Sequence, residues 1–449
     1  MINQAKLEIK SEDLVIIERS LKLSGEVQIS GAKNAVLVIM LAVLLADGKS
    51  VLSNVPDSAD VNYVIKLLAD LGAIVVFDRK LKIVSIDTTN VNKYSVDQQI
   101  MQKMRASILV LGPLLVRQGR AEIAMPGGCV IGGRPLDYTL DNLRRIGAEI
   151  NLNNQLLVAN ASQGLQAKRI VLDYPSVGAT ENLLMAATLI AGTTEIINAA
   201  LEPEVMDLVQ MLTKMGAKIE ICAPATIKII GVKKLNPVEY TVMSDRLEAG
   251  CLLLAAAVTG GEIFISNADP NTLDIFLFKL TEMGHEIKTE RDKLGIWLKA
   301  TNNPKAVSIK TAPYPGFPTD LQAPMTTALS IAFGTSMIEE TVYENRLIHV
   351  RELCKMGAQI QNTDTRAVIT GVENLYGTEV VASDIRASFA LILAGLVAHG
   401  RTVMSGVAHF RRGYDGMEHK LQSLGAKISV CSFQDLAPKN SNNLDLNIR

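Results

Sequence analysis

Cys129 stands in Pro126-Gly127-Gly128-Cys129-Val130-Ile131-Gly132-Gly133-Arg134-Pro135, a run too rich in glycine and proline to hold a helix or a strand. The sequence therefore predicts a thiol displayed on a loop. Such a thiol can act as nucleophile or acid, because its pKa, about 8.5 when unperturbed, falls beside a cation; Arg134 is the candidate neighbour. Lys33, in Ser30-Gly31-Ala32-Lys33-Asn34, precedes a long apolar run. A lysine at a helix start opposes the dipole unless an anion sits there, although a solvated lysine on a connecting turn explains it as well. Arg105, Arg246 and Arg386 stand ahead of or inside apolar helical stretches, and Arg346 and Arg412 lie in Tyr343-Glu344-Asn345-Arg346 and Arg411-Arg412-Gly413-Tyr414. Asp245 and Asp384 precede two of these arginines and read as N-caps that the arginine satisfies. Arg105 has no such aspartate, which turns it toward an anion. The guanidinium fork matches phosphate and carboxylate oxygens, so the set implies a small anionic substrate. Asp320 follows three prolines in Pro313-Tyr314-Pro315-Gly316-Phe317-Pro318-Thr319-Asp320. An N-cap accounts for it; the competing reading is a general base on a rigid arm, which requires a substrate hydroxyl within about 3 Å.

The elements that must position these groups follow from the whole chain. At 449 residues it is long enough for two or three domains of roughly 150 residues. Hydrophobic residues make up 48%, charged residues 20%, and the net charge is -1, which excludes a nucleic-acid binder held by a basic surface. The opening Met1 to Glu8 contains no apolar export segment. The apolar run Ala35 to Ala46 is too short to span a bilayer and reads as a buried helix. The five cysteines are scattered without metal or disulfide spacing, so a reducing cytoplasm fits best. Cys251 and Cys354 are expected as core thiols. The stretch Asn440 to Arg449 is expected as a loosely ordered tail.

The chain is repetitive. Apolar-Gly-small endings recur at Gly72, Gly147, Gly216, Gly284, Gly357 and Gly425, marking units of roughly 70 residues in which a helix stops in a left-handed cap and hands over to a strand. A second glycine, at Gly48, Gly119, Gly192, Gly260, Gly334 and Gly400, separates an Ala/Leu-rich helix from an alternating strand within each unit. The pattern predicts an α/β protein with apolar helices inside and sheets outside, arranged as two pseudo-symmetric domains of three units, with the cut near 239–244. A site between them would close over its substrates.

With Ser-Gly-Ala-Lys-Asn at 30–34, Met-Arg-Ala-Ser at 104–107, Pro-Gly-Gly-Cys at 126–129, Pro-Ser-Val-Gly-Ala-Thr-Glu-Asn at 175–182, Phe-Pro-Thr-Asp-Leu-Gln-Ala at 317–323, Glu-Asn-Arg at 344–346 and Arg-Gly-Tyr at 412–414, the chain resembles the enolpyruvyl transferase family from Leu21 to Ala426. The resemblance implies a two-domain inside-out α/β barrel of six βαβαββ-type repeats, three per domain. One domain would comprise 1–31 and 244–449 and the other 32–243, the latter carrying the mobile cysteine loop. It implies transfer of the enolpyruvyl group of phosphoenolpyruvate to the 3'-hydroxyl of UDP-N-acetylglucosamine, with loss of phosphate, in the first committed step of peptidoglycan synthesis in the cytoplasm. It names no cofactor or metal and leaves the oligomeric state open.

The resemblance also distributes roles. Cys129 would protonate C3 of phosphoenolpyruvate or assist product release, and Asp320 would be the base. Lys33, Arg134 and Arg412 would clamp the phosphate, Arg346 and Arg386 would hold the carboxylate and the intermediate, and Asp384 would join the substrate-binding set. Arg105 would join the nucleotide side or lock the closed loop. Asn34, Arg134, Pro135, Leu136, Asp137, Ser176, Val177, Gly178 and Val342 would bind the nucleotide sugar, although Ser176-Val177-Gly178 alone reads equally as a turn before a helix at 180–189. This chain has Asp137-Tyr138-Thr139 where the family has Asp-Leu-His, and Arg411 where it has Asp. Both departures bear on nucleotide affinity and on the thiol. The alternatives are transfer to shikimate 3-phosphate, transfer to another nucleotide sugar, or a regulatory paralogue that only binds nucleotide sugar.

Overall fold

A computed structural model describes residues 13–127, 136–290 and 292–432. The candidates Cys129, Arg134 and Pro135 and the tail 440–449 lie outside the described residues. Buried apolar side chains fall into two clusters. One runs from Ala32 to Val242; the other joins Val15 to Ile29 with Leu247 to Ile428. The first strand, Asp13–Glu18, lies between Arg401–Ser405 and Lys427–Ser432, antiparallel to both. Strand Ser24–Val27 pairs in parallel with Glu262–Ile265. The chain then passes Gly31, which forms a β-bridge with Ser244, so both crossings between the clusters run side by side.

The sequence periodicities account for the layers. Helices Lys33–Ala42, Arg246–Thr259 and Ile385–Val397 are apolar on every side and almost wholly buried, as a helix without a polar face must be. The helix Ile385–Val397 packs along Gln322–Ser330 and Arg246–Thr259, and in the other cluster Leu111–Gln118 packs along Val177–Ala187. Strands such as Thr193–Ile197 and Arg366–Thr370 alternate buried and exposed residues because one face meets the helices and the other meets water. Among the described residues there are five four-stranded sheets and one three-stranded sheet, one for each sequence unit.

The six unit-ending glycines all have positive φ, between 97° and 108°. The residue after each one donates its N–H to a leucine carbonyl five positions back: Leu68, Leu143, Leu212, Leu280, Leu353 or Leu421. That is the 6→1 bond of a Schellman cap, which requires a left-handed residue that glycine adopts without strain.

Several expectations need correction. Cys251 is buried, but Cys354 is exposed, because it sits near the end of the short helix Val350–Lys355, whose buried residues are Val350 and Leu353. Val177 and Gly178 form the first turn of the helix Val177–Ala187 rather than a turn ahead of it; Ser176 is its N-cap, accepting from the Ala179 N–H. Asp245 and Asp384 are N-caps, but the arginines beside them reach other carboxylates.

Candidate active site

The helices that fill both clusters start at one place. A cleft of about 450 Å³ is lined by Lys33, Arg105, Val177, Arg246, Asp320 and Ile385. Lys33, Val177, Arg246 and Ile385 begin core helices, and Arg105 and Asp320 lie in short 3₁₀ turns that lead into two more. Helix starts present unpaired N–H groups and positive partial charge, so their convergence favours an anion before any side chain is counted. Asn34, Leu136, Ser176, Gly178, Val342, Arg346, Asp384, Arg386 and Arg412 also line the cleft. Asp137 does not; it begins the next helix, Asp137–Arg145. Beside the residues outside the described set, the root of the cysteine loop is fixed. Gly127 donates its N–H to the Met101 carbonyl at 3.3 Å, and a Cβ there would stand 1.9 Å from the Gln102 carbonyl oxygen.

Asp320 is not an N-cap. Its Oδ1 accepts from Arg346 Nη2 at 2.5 Å and its Oδ2 from Arg386 Nη2 at 2.6 Å, and Asn34 Nδ2 lies 3.5 Å from Oδ2. Both guanidiniums are almost wholly buried, whereas the Asp320 side chain keeps 22% of its exposure, so the carboxylate faces the cleft. Burial works against its charge, but Arg386 and then Arg346 outweigh burial and hold the carboxyl well below the ordinary range. Each arginine is braced by its second nitrogen: Arg346 Nη1 donates to Thr319 Oγ1 at 3.0 Å, and Arg386 Nη1 to the Tyr414 hydroxyl at 3.2 Å. Behind Tyr414 lies Cys251, 3.5 Å from the hydroxyl, its thiol pushed up to about 12 by burial and so unreactive.

Lys33 and Arg412 share Asp60. Lys33 Nζ lies 2.9 Å from Oδ2 and Arg412 Nε 2.9 Å from Oδ1. Burial raises the Asp60 pKa, but the two cations bring it below the usual value. Arg411 points elsewhere and pairs with Glu418, so the departure at 411 adds a neutralised charge that is not part of the cleft wall. The departure at 138–139 does reach the cleft. Tyr138 stacks on Tyr174, with ring centroids 6.1 Å apart and planes at 28°, and both rings line the wall.

Sequence reasoning missed four residues of this arrangement. Asp60 orders Lys33 and Arg412. Glu340, buried, accepts from Thr319 Oγ1, from Thr311 Oγ1 and from the N–H groups of Val342 and Tyr343 at 2.9 to 3.1 Å, tying the Val342 loop to the Asp320 turn. Glu204 accepts from Nε and Nη2 of Arg246, at 3.0 and 3.1 Å. Glu181 lines the cleft as a buried acid. No spacing rule connects these residues to their partners; only the charge of a glutamate inside an apolar helix marked Glu181. Among the described residues no group of three or more His, Cys, Asp or Glu is placed to hold a metal ion, and no helix is long and apolar enough to cross a membrane.

Comparison with known proteins agrees with this arrangement. The family described as EPSP synthase (3-phosphoshikimate 1-carboxyvinyltransferase) matches residues 17–421. The UDP-N-acetylglucosamine 1-carboxyvinyltransferase 1 of Caldanaerobacter subterraneus subsp. tengcongensis is 48% identical over 92% of this chain and 98% of its own length. The corresponding protein of Acinetobacter baylyi is 47% identical over 94% of this chain and 100% of its own. Among solved structures, the enolpyruvyl transferase NikO from Streptomyces tendae superposes with a TM-score of 0.85 at 24% identity, covering 94% of this chain and 99% of that one. EPSP synthase from Acinetobacter baumannii gives 0.73 at 17% identity, covering 94% and 100%; both show the same fold. The chain belongs to the enolpyruvyl transferase family, among the UDP-N-acetylglucosamine 1-carboxyvinyltransferases.

Proposed function

We propose that this protein transfers the enolpyruvyl group of phosphoenolpyruvate to the 3'-hydroxyl of UDP-N-acetylglucosamine and releases phosphate, the first committed step of peptidoglycan synthesis. The observation that carries the reading is the pair of buried arginines, Arg346 and Arg386, closed on the cleft-facing carboxylate of Asp320, in a chain 48% identical to a protein of that name. The substrate's carboxylate would take the two arginines. Its phosphate would meet Lys33 and Arg412, joined by Arg134. Losing its guanidinium partners raises the pKa of Asp320 and makes it a better base.

Cys129 would then donate a proton to C3, leaving positive character at C2. The sugar oxygen bonds to C2 while its proton passes to Asp320, late in the step because a carboxylate is a far weaker base than an alkoxide. The tetrahedral ketal would then return a C3 proton to the Cys129 thiolate while the C2–O bond to phosphate breaks and the departing phosphate takes the proton held by Asp320, so the double bond returns and both groups are reset. Residues on both sides of the cleft take part, so we propose that 1–31 with 244–449, and 32–243, act as two domains that close on the substrates, with the Cys129 loop as the lid. Asn34, Leu136, Ser176, Val177, Gly178 and Val342 would hold the nucleotide sugar, with Arg105 on its diphosphate side.

The test is incubation with phosphoenolpyruvate and a panel of nucleotide sugars, measuring phosphate release and product mass. An enolpyruvyl ether of UDP-N-acetylglucosamine is expected. Absence of both signals with that acceptor rejects the reading. A different nucleotide sugar is the second reading, motivated by the stacked Tyr138 and Tyr174; the same panel separates the two.

A further inference from the structure

The helix Val177–Ala187 presents one more group to the cleft. Glu181 lies one turn beyond Gly178, on the same face of the helix, and both line the cleft. A Cβ at Gly178 would meet nothing within 4 Å, so the space over this face is open. Glu181 is only 3% exposed, its carboxyl takes no hydrogen bond or ion pair from any described residue, and its oxygens are not among the fully enclosed polar atoms that lack a partner, so they reach the open side of the cleft wall. Its neighbours cannot serve it. Arg246 is engaged by Glu204 through two nitrogens. Glu202 accepts the Tyr314 N–H at 3.4 Å with one oxygen, and its other oxygen is buried without a partner. Burial, then the charges of Glu202 and Glu204, push the Glu181 carboxyl well above the ordinary range, which favours the protonated form. A buried carboxyl with no partner is costly to keep, and a protonated one both donates and accepts.

We propose that Glu181 is a specificity-determining residue that hydrogen-bonds a neutral polar group of the acceptor, a hydroxyl or the acetamido group of its sugar, and not its phosphates. The cationic side chains already answer the anionic parts of both substrates. The acidic patch of Glu181 and Glu202 is the part of the cleft suited to an uncharged, hydroxyl-rich one. This rests on the proposed function for the identity of the acceptor.

The test compares wild type, Glu181→Ala and Glu181→Gln in steady-state kinetics with each substrate varied. Glu181→Ala is expected to raise the acceptor KM by about 10-fold or more, leaving the phosphoenolpyruvate KM within about twofold. Glu181→Gln keeps a neutral donor and acceptor and should recover most of that loss. In wild type the acceptor KM should rise toward alkaline pH as Glu181 ionises beside Glu202 and Glu204, and Glu181→Gln should lack that step. An unchanged acceptor KM in Glu181→Ala, equal changes in both KM values, or superimposable pH profiles for wild type and Glu181→Gln would each overturn the proposal. Calorimetric binding of UDP-N-acetylglucosamine to the same proteins needs no turnover. A dead reaction therefore rejects the function, while unaltered binding in Glu181→Ala rejects the role of Glu181.

Discussion

Asp320 and Glu181 are both carboxyls sunk in the wall of one cleft, and they are driven in opposite directions. Asp320 has two guanidiniums on it and stays ionised far below the usual range; Glu181 has two glutamates near it, no partner among the described residues, and holds its proton more tightly. Burial pushes both carboxyls up; at Asp320 the two guanidiniums reverse it, whereas at Glu181 burial prevails and the charges of Glu202 and Glu204 add to it. One cleft thereby carries a carboxylate held as an anion and a carboxyl biased toward its protonated form, a combination suited to an anionic donor substrate and a hydroxylated acceptor.

The sharpest way to break the contrast is to neutralise Asp320. Asp320→Asn is expected to cut turnover by about 10²–10⁴-fold, while phosphoenolpyruvate binds more tightly because no internal carboxylate competes for Arg346 and Arg386. Calorimetry and phosphate release read the two effects; weaker phosphoenolpyruvate binding would show that Asp320 orders the arginines rather than competing for them. Arg386→Lys comes next. A lysine cannot span Asp320 and Tyr414 with a planar fork, so kcat should fall by about 100-fold, measured by the same release assay.

A smaller effect is expected at Asp60. Asp60→Asn should weaken the alignment of Lys33 and Arg412 and raise the phosphoenolpyruvate KM by about tenfold, since one charge-assisted contact contributes roughly 1.5–3 kcal/mol. An unchanged KM would mean that the cations are held without it.

The smallest effect is on stability, where the two acids should have opposite pH signatures. The folded pKa of Asp320 is depressed, so its stabilisation is present above the unfolded value near 3.8 and is lost as pH falls through the folded value. That of Glu181 is raised above 4.5, so the folded state binds the extra proton and stability declines as pH rises from there toward the folded value. Glu181→Gln should therefore stabilise the protein by about 1–3 kcal/mol at pH 8 and by less at pH 5, as read by urea unfolding. A larger gain at pH 5 would contradict the assignment.

The periodic part of this structure was legible from the sequence, because each unit ends where a single glycine must adopt a left-handed conformation, as at Gly284 and Gly357. The cationic side chains were legible too, since a charged residue at the start of an apolar helix stands out against its background. Their partners were not. Asp60 and Arg412 are 352 positions apart, and no local period connects them. Asp245 and Asp384 misled for a physical reason. Residues one or two positions apart on a helix do not face each other, so each aspartate caps the backbone while Arg246 and Arg386 extend to Glu204 and Asp320. The exposure of Cys354 was missed because an apolar neighbourhood in sequence was equated with the buried face of a helix. Glu181 was hidden in an Ala/Leu-rich stretch whose inner face becomes a cleft wall only after the second cluster packs opposite it.

Asp60, finally, bears on how the protein lives among ordinary salts. Lys33 and Arg412 are held by Asp60, Arg346 and Arg386 by Asp320, and Arg246 by Glu204. A chloride or a lone phosphate arriving from the medium must evict a resident carboxylate and can replace it at one cation pair only. A molecule bearing phosphate and carboxylate at a fixed separation can exchange for two carboxylates at once. The resident acids thus set an entry threshold that background electrolyte fails to meet and that favours an anion carrying both groups.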